Sequence, residues 1–296
     1  MKLAPIVVFG FNRPEAISKT IESLKQDSLS AESDLFVFVD GPRNFLGEEE
    51  KVQAVNLYAN SITGFKSLKV FSSNVNKGLG SSLIQGISKV ISEFGSAIIV
   101  EDDLQIVPGF LGFMNQSLWK YRDNPKVFSI CGYTNRIVVP LNYPYSTYFC
   151  TRSSSWGWAT WKDRWDSVDW KLEPWEDFQK YKKSFNCWGG SDCFGMLKGW
   201  HEGRNKSWAI RFCFSQFLQN KVSLFPFKSF VINTGFDGNG TNCKKWSRFK
   251  YELIDPKIYP IIYPENVEIN PLIFKSAMKY HSIPQRVLSK LMYLIS

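Results

Sequence analysis

The sequence predicts an α/β fold: a mostly parallel sheet flanked by helices. Three apolar runs point to it, PIVVFGF (Pro5 to Phe11), LFVFV (Leu35 to Val39) and AIIV (Ala97 to Val100). They are rich in β-branched and aromatic residues and lack polar alternation, as strands buried on both faces do. Between them lie segments with apolar residues at helical spacing, and strands that alternate with helices imply a parallel sheet. The third run continues directly into Glu101, Asp102 and Asp103. Three adjacent carboxylates cannot stay in an apolar interior, so they belong where the strand ends. In an open α/β sheet that is the rim of the ligand crevice. An acidic cluster there suits a hard divalent cation that takes its other ligands from phosphate and water. A solvated acidic turn is the plain alternative.

In chain order, the first strand is followed by the turn Asn12-Arg13-Pro14, with Pro14 suited to a first helical position. Glu15 to Gln26 carries Ile17, Ile21 and Leu24 at helical spacing. The second strand ends at Asp40-Gly41-Pro42-Arg43. Glu48 to Ala59 reads as a helix with Val52, Val55 and Tyr58 on one face, and Leu68 to Phe71 as a third strand. Asn76-Lys77-Gly78-Leu79-Gly80 then leads into a helix from about Ser81 to Phe94. This glycine pair lacks the third glycine of a dinucleotide fingerprint, and no P-loop is present. A tight turn explains it, while Lys77 beside a helix start is placed to approach a pyrophosphate. After the acids come a helix to about Tyr121 and a strand from Lys126 to Cys131. Asn12-Arg13, Asp40 and Glu101-Asp102-Asp103 thus all close strands, and a shared crevice follows.

The 296 residues are 44% hydrophobic, enough for a substantial core. No run of about 18 apolar residues exists to span a bilayer as a helix. Met1 is followed almost at once by a strand, which leaves no room for a signal peptide, so a cytoplasmic protein is expected. Six scattered cysteines without a C-x-x-C pair and only two histidines fit reduced thiols and argue against zinc. The net charge of +9 suits an anionic membrane or a phosphorylated substrate. Nucleic acid is not expected, since no recognition motif is present.

From Tyr143 the composition changes, and ten of the eleven tryptophans lie beyond residue 150. Trp158, Trp161 and Trp165 fall at i, i+3 and i+7, one face of a helix. Trp156, among small residues, is a candidate platform for a sugar's apolar face, although an indole is more often core. Ser207 to Leu218 reads as an apolar helix with Ser207 as N-cap. Val222 to Phe225 and Phe230 to Asn233 read as strands, and Asp237 sits in the loop GFDGNG. Phe274 to Ser296 mixes Lys275, Lys279, Arg286 and Lys290 with apolar residues. Its last dozen residues fit either a basic amphipathic helix on an anionic leaflet or a helix docked on the body.

The motifs FNRP (Phe11 to Pro14), VDG (Val39 to Gly41), NKGLG (Asn76 to Gly80), EDD (Glu101 to Asp103), WGWATWKDRW (Trp156 to Trp165), SWAIRF and NTGFDGNGT occur in this order over residues 5 to 243. In that order the chain resembles GT-A fold glycosyltransferases, the bacterial family 2 and N-acetylglucosaminyltransferase I-like group. The resemblance implies residues 1 to 135 as a nucleotide-sugar-binding half and 136 to 250 as the acceptor-binding half of one domain. Residues 251 to 296 would be a C-terminal, membrane-associated extension. It implies that Asn12, Arg13, Asp40, Lys77, Glu101 and Asp102 hold a nucleotide sugar, with UDP-sugar the expected donor. Asp103 would bind Mn²⁺ or Mg²⁺, and Trp156 and Trp158 would contact substrate. The acceptor would be a glycan or lipid-linked glycan of lipopolysaccharide O-antigen or capsule. The transferase would move a hexosyl or N-acetylhexosaminyl group with inversion, at the inner face of the plasma membrane. Relatives carry an aspartate near the start of the helix matching Ser207 to Leu218. Here none stands there, and Glu202, Asp192 and Asp237 are the candidate catalytic carboxylates. A sugar nucleotidyltransferase is one rival, although Phe9 to Pro14 lacks its Gly-rich basic loop. A non-catalytic glycan-binding module on the same fold is the other.

Overall fold

The computed structural model describes residues 2–235, 249–255 and 261–295. Its elements run β1 (Ile6–Gly10), α1 (Pro14–Lys25), β2 (Asp34–Val39), α2 (Glu48–Ser61), β3 (Ser67–Ser72), α3 (Leu79–Phe94), β4 (Ser96–Glu101), β5 (Leu104–Ile106), α4 (Phe110–Tyr121) and β6 (Val127–Cys131). They continue as β7 (Thr147–Cys150), β8 (Trp158–Trp161), α5 (Lys162–Asp166), α6 (Glu176–Gln179), α7 (Lys182–Gly189), α8 (Cys193–His201), α9 (Trp208–Leu218), β9 (Val222–Pro226), β10 (Val231–Asn233), α10 (Pro271–Met278) and α11 (Ile283–Ile295).

Eight strands form one sheet in the order β3-β2-β1-β4-β8-β6-β9-β7. The first four are parallel to one another, as the alternating pattern requires. The α/β sheet flanked by helices is therefore present, in a Rossmann-like order 3-2-1-4 whose crevice belongs between β1 and β4. In β1, Ile6 and Val8 meet α1 and α2 on one face, with Ile17, Ile21, Val52 and Val55. Val7 and Phe9 meet α3 and α9 on the other, with Leu83, Ile87, Trp208 and Phe212. Burial on both faces is why these strands read as unbroken apolar runs.

The second half departs from its expected local structure. Trp158 and Trp161 do not share a helix face; they lie in β8, antiparallel between β4 and β6. Side chains three apart in a strand point to opposite faces, and the two rings enter different cores. Only Trp165 is helical, in α5. The short strands β5 and β7 carry too little sequence to announce themselves. β5 pairs with β10 in a small antiparallel ribbon directly after the acids. A helical cap of α7, α8 and α9 packs Phe185, Leu197 and Phe214 into a separate apolar cluster. The cysteines of the described residues, at 131, 150, 187, 193 and 213, are free thiols. No helix among the described residues is long and apolar enough to cross a membrane.

Candidate functional site

Strand register fixes the rim. Phe9 stands beside Glu101 and Gly10 beside Val39, so Asn12-Arg13, Asp40 and Glu101 to Asp103 all leave the sheet at one edge. A cavity of about 720 Å³ opens there. Its wall runs from these strand ends across the start of α3 to Tyr133, Trp156, Arg152 and the start of α9. Two helix N-termini, those of α3 and α9, border the same space, and backbone N–H groups with the helix dipole favour an anion there.

On the strand-end side, Arg13 spans the acids. Its guanidinium donates to Asp102 and, at 3.2 Å, to Asp103 Oδ2. Burial, then the neighbouring Asp103 and Asp102 carboxylates, push Glu101 up to about 8. Burial likewise pushes Asp102 up to about 6 against the pull of Arg13. Glu101 therefore keeps its proton at neutral pH, and Arg13 is shared between Asp102 and Asp103, so the rim still favours a further positive charge. Thr234 closes the turn by donating from its backbone N and its hydroxyl to Asp103 O, both at 2.9 Å. Just past β10, a Cβ on Gly235 would run into Asp103 Oδ2.

Asp40 lines the cavity, yet its carboxylate is occupied by loop amides. Oδ1 accepts from Gly41 N and Lys77 N, and Oδ2 accepts from Gly78 N and Asn76 Nδ2. It anchors the loop between β3 and α3, which brings Gly78 and Leu79 to the cavity. Lys77 itself turns outward, where its Nζ donates to Gln85. Asn12 donates to Glu48, which also accepts from the Arg43 side chain and backbone. Arg43, which the sequence reading did not single out, lines the cavity and lies over the rings of Phe11 and Phe45 at 5.1 and 5.0 Å.

On the other side, Trp156 is half-buried with its ring 4.5 Å from Tyr133 and 5.6 Å from Phe249. Trp158 is buried among Trp165, Trp208 and Phe212. It borders the cavity, and its buried Nε1 has no hydrogen-bond partner among the described residues. Arg152 reaches the cavity while Nη1 donates to Asp192 Oδ1 at 2.7 Å and to Gly189 O at 3.1 Å. Ser207 caps α9 as expected, its Oγ accepting from Ile210 N at 3.3 Å.

The three candidate catalytic carboxylates are not brought together. Glu202 ends α8 in solvent, paired with Arg204 and Lys198 and away from the cavity wall. Asp192 is committed to Arg152. Asp237 lies outside the described residues. Among the described residues the carboxylates that line the cavity are Asp40, Glu101, Asp102 and Asp103. No group of three or more His, Cys, Asp or Glu among them is arranged to enclose a metal ion. Asp103 at the rim, with the amide oxygen of Asn233 nearby, is a hard-oxygen donor set that fits a cation completing its shell from a ligand.

No family model matches the chain. No curated protein matches it either. Among solved structures it is similar to two crystal structures of S. aureus TarS. One aligns at 16% identity over 80% of this chain and 61% of that one, with a TM-score of 0.45. The other aligns at 20% identity over 50% of this chain and 25% of that one, with a TM-score of 0.35. The chain thus spans from a quarter to about three fifths of the length of these structures.

Proposed function

We propose that this chain is a glycosyltransferase that moves a hexosyl or N-acetylhexosaminyl group from a UDP-sugar to a lipid-linked surface glycan, of O-antigen or capsule type, on the cytoplasmic side of the membrane. The observation that carries the proposal is the common rim: Arg13, Asp102 and Asp103 face a cavity whose far wall is aromatic and basic. A nucleotide diphosphate and a sugar together fill a space of that size and polarity. Arg43 and Phe11 offer a flat cationic and aromatic surface to a base. The starts of α3 and α9 face the diphosphate.

In this reading Asp103 holds Mn²⁺ or Mg²⁺. When bound, that cation would neutralise charge building on the departing diphosphate. Arg13 keeps Asp103 and Asp102 aimed at the cavity. Trp156 and Tyr133 present ring surface to the acceptor sugar, and Arg152 fixes the wall behind it. Enclosure of both substrates orients the acceptor hydroxyl for attack at the anomeric carbon. We take the transfer to invert that carbon.

The test is donor turnover by the full chain, with and without Mn²⁺. Release of UDP from UDP-sugars supports transfer. Pyrophosphate release would point instead to a nucleotidyltransferase, and binding of glycan without any donor chemistry would point to a binding module.

A further inference from the structure

Helix α11 is docked with its apolar side outward. Ser289 is buried, and Gln285 and Met292, four before and three after it, are half-buried, so this stripe faces the body. Ile283, Val287, Leu288 and Leu291 are exposed at 63, 50, 47 and 52%. A surface helix held only for stability turns its apolar stripe to the core. Arg286 ties this one to Ser191, which in turn holds the turn before the helix. Arg286 Nη1 donates to Ser191 Oγ at 3.1 Å, and the Ser191 hydroxyl donates to His281 O at 2.9 Å.

Lysines flank the apolar face. Lys180, Lys182 and Lys183 line one shallow depression together with Ile283 and Ser191. All three are exposed, and none forms an ion pair with a described residue. Lys290 stands exposed on the helix itself. We propose that this face rests on an anionic bilayer leaflet. Val287, Leu288 and Leu291 enter the boundary between headgroups and acyl chains, and the lysines meet lipid phosphates. Charge selects this occupant over a second copy of the chain. A two-fold contact places the same patch on both partners, so lysines would face lysines.

The placement bears on the cavity, and this step rests on the transferase reading. His281 lines the cavity two residues before Ile283. The cavity wall therefore reaches the turn that precedes α11, so a lipid-linked acceptor held at the leaflet would be presented from that side.

The experiment is vesicle co-sedimentation of the full chain with phosphatidylcholine alone and with phosphatidylcholine mixed with phosphatidylglycerol. Binding to the anionic vesicles is expected, weakened by added salt. It should fall at least about tenfold when Val287, Leu288 and Leu291 are changed to Ser, and similarly for Lys180→Glu with Lys182→Glu and Lys183→Glu. Melting temperature and UDP release from a soluble donor should stay unchanged in both variants. No binding to anionic vesicles, or equal binding by both variants, overturns the proposal. So does a dimer in solution that the serine variant dissolves. Because sedimentation needs no turnover, a failure here is distinct from a failure of the transferase reading.

Discussion

Replacing Asp192 by Asn tests whether the wall behind the cavity is held by charge. The Arg152 and Asp192 side chains are only 15 and 10% exposed, so solvent screens them little. Burial pushes the Asp192 carboxyl up, but attraction and hydrogen bonds from Arg152 outweigh it and bring it from 3.8 down to about 2. At 1.36 kcal/mol per pH unit, that difference corresponds to about 2 kcal/mol of stability at neutral pH. Removing one partner of a buried pair also strands the other charge, and such changes cost about 3–5 kcal/mol. Asn keeps the shape and one acceptor, so a loss of about 2–4 kcal/mol is expected at pH 7. A depressed carboxyl stabilises above its unfolded value and loses that contribution as pH falls through the folded one. The gap between the native chain and Asp192→Asn should therefore persist to about pH 4 and close towards pH 2. Urea unfolding of both proteins across that range measures it. A gap that is absent at pH 7, or unchanged down to pH 2.5, refutes the argument.

Two further outcomes follow from the cavity wall. A Cβ on Gly41 would lie 2.5–2.8 Å from the backbone of Val75, so Gly41→Ala must displace the loop that Asp40 ties to Gly78. We expect a loss of about 1–3 kcal/mol in urea unfolding together with weaker UDP binding; unchanged binding would mean that this loop does not shape the nucleotide side. Trp156→Ala should raise the acceptor KM about fivefold, roughly 1 kcal/mol of lost ring contact, and leave donor KM alone. A change in donor KM only would place the ring on the other side.

Much of the first half was legible because its physics is local. Burial on both faces makes Val7, Val8, Ile98 and Ile99 apolar without alternation, and Ser207 announces its helix through a bond three residues long. The polar strand ends were legible too, since acids cannot remain between two helical layers. Their partners were not. Asp40 looks like a ligand contact, yet its four loop contacts come from residues up to 38 positions away. Arg152 finds Asp192 across 40 residues, a pairing that no spacing reveals. The tryptophan spacing misled because both sides of β8 are buried. With no polar alternation to mark a strand, intervals of three and seven resembled a helix.

Asp103 and its cation anchor the nucleotide-sugar site, and calorimetric titration of UDP in the presence of Mn²⁺ tests that pairing. The native chain should bind UDP saturably with metal, and Asp103→Ala should abolish this binding while its melting temperature holds. Equal UDP affinity in the two proteins with Mn²⁺ present would contradict the assignment of this rim as the nucleotide-sugar site.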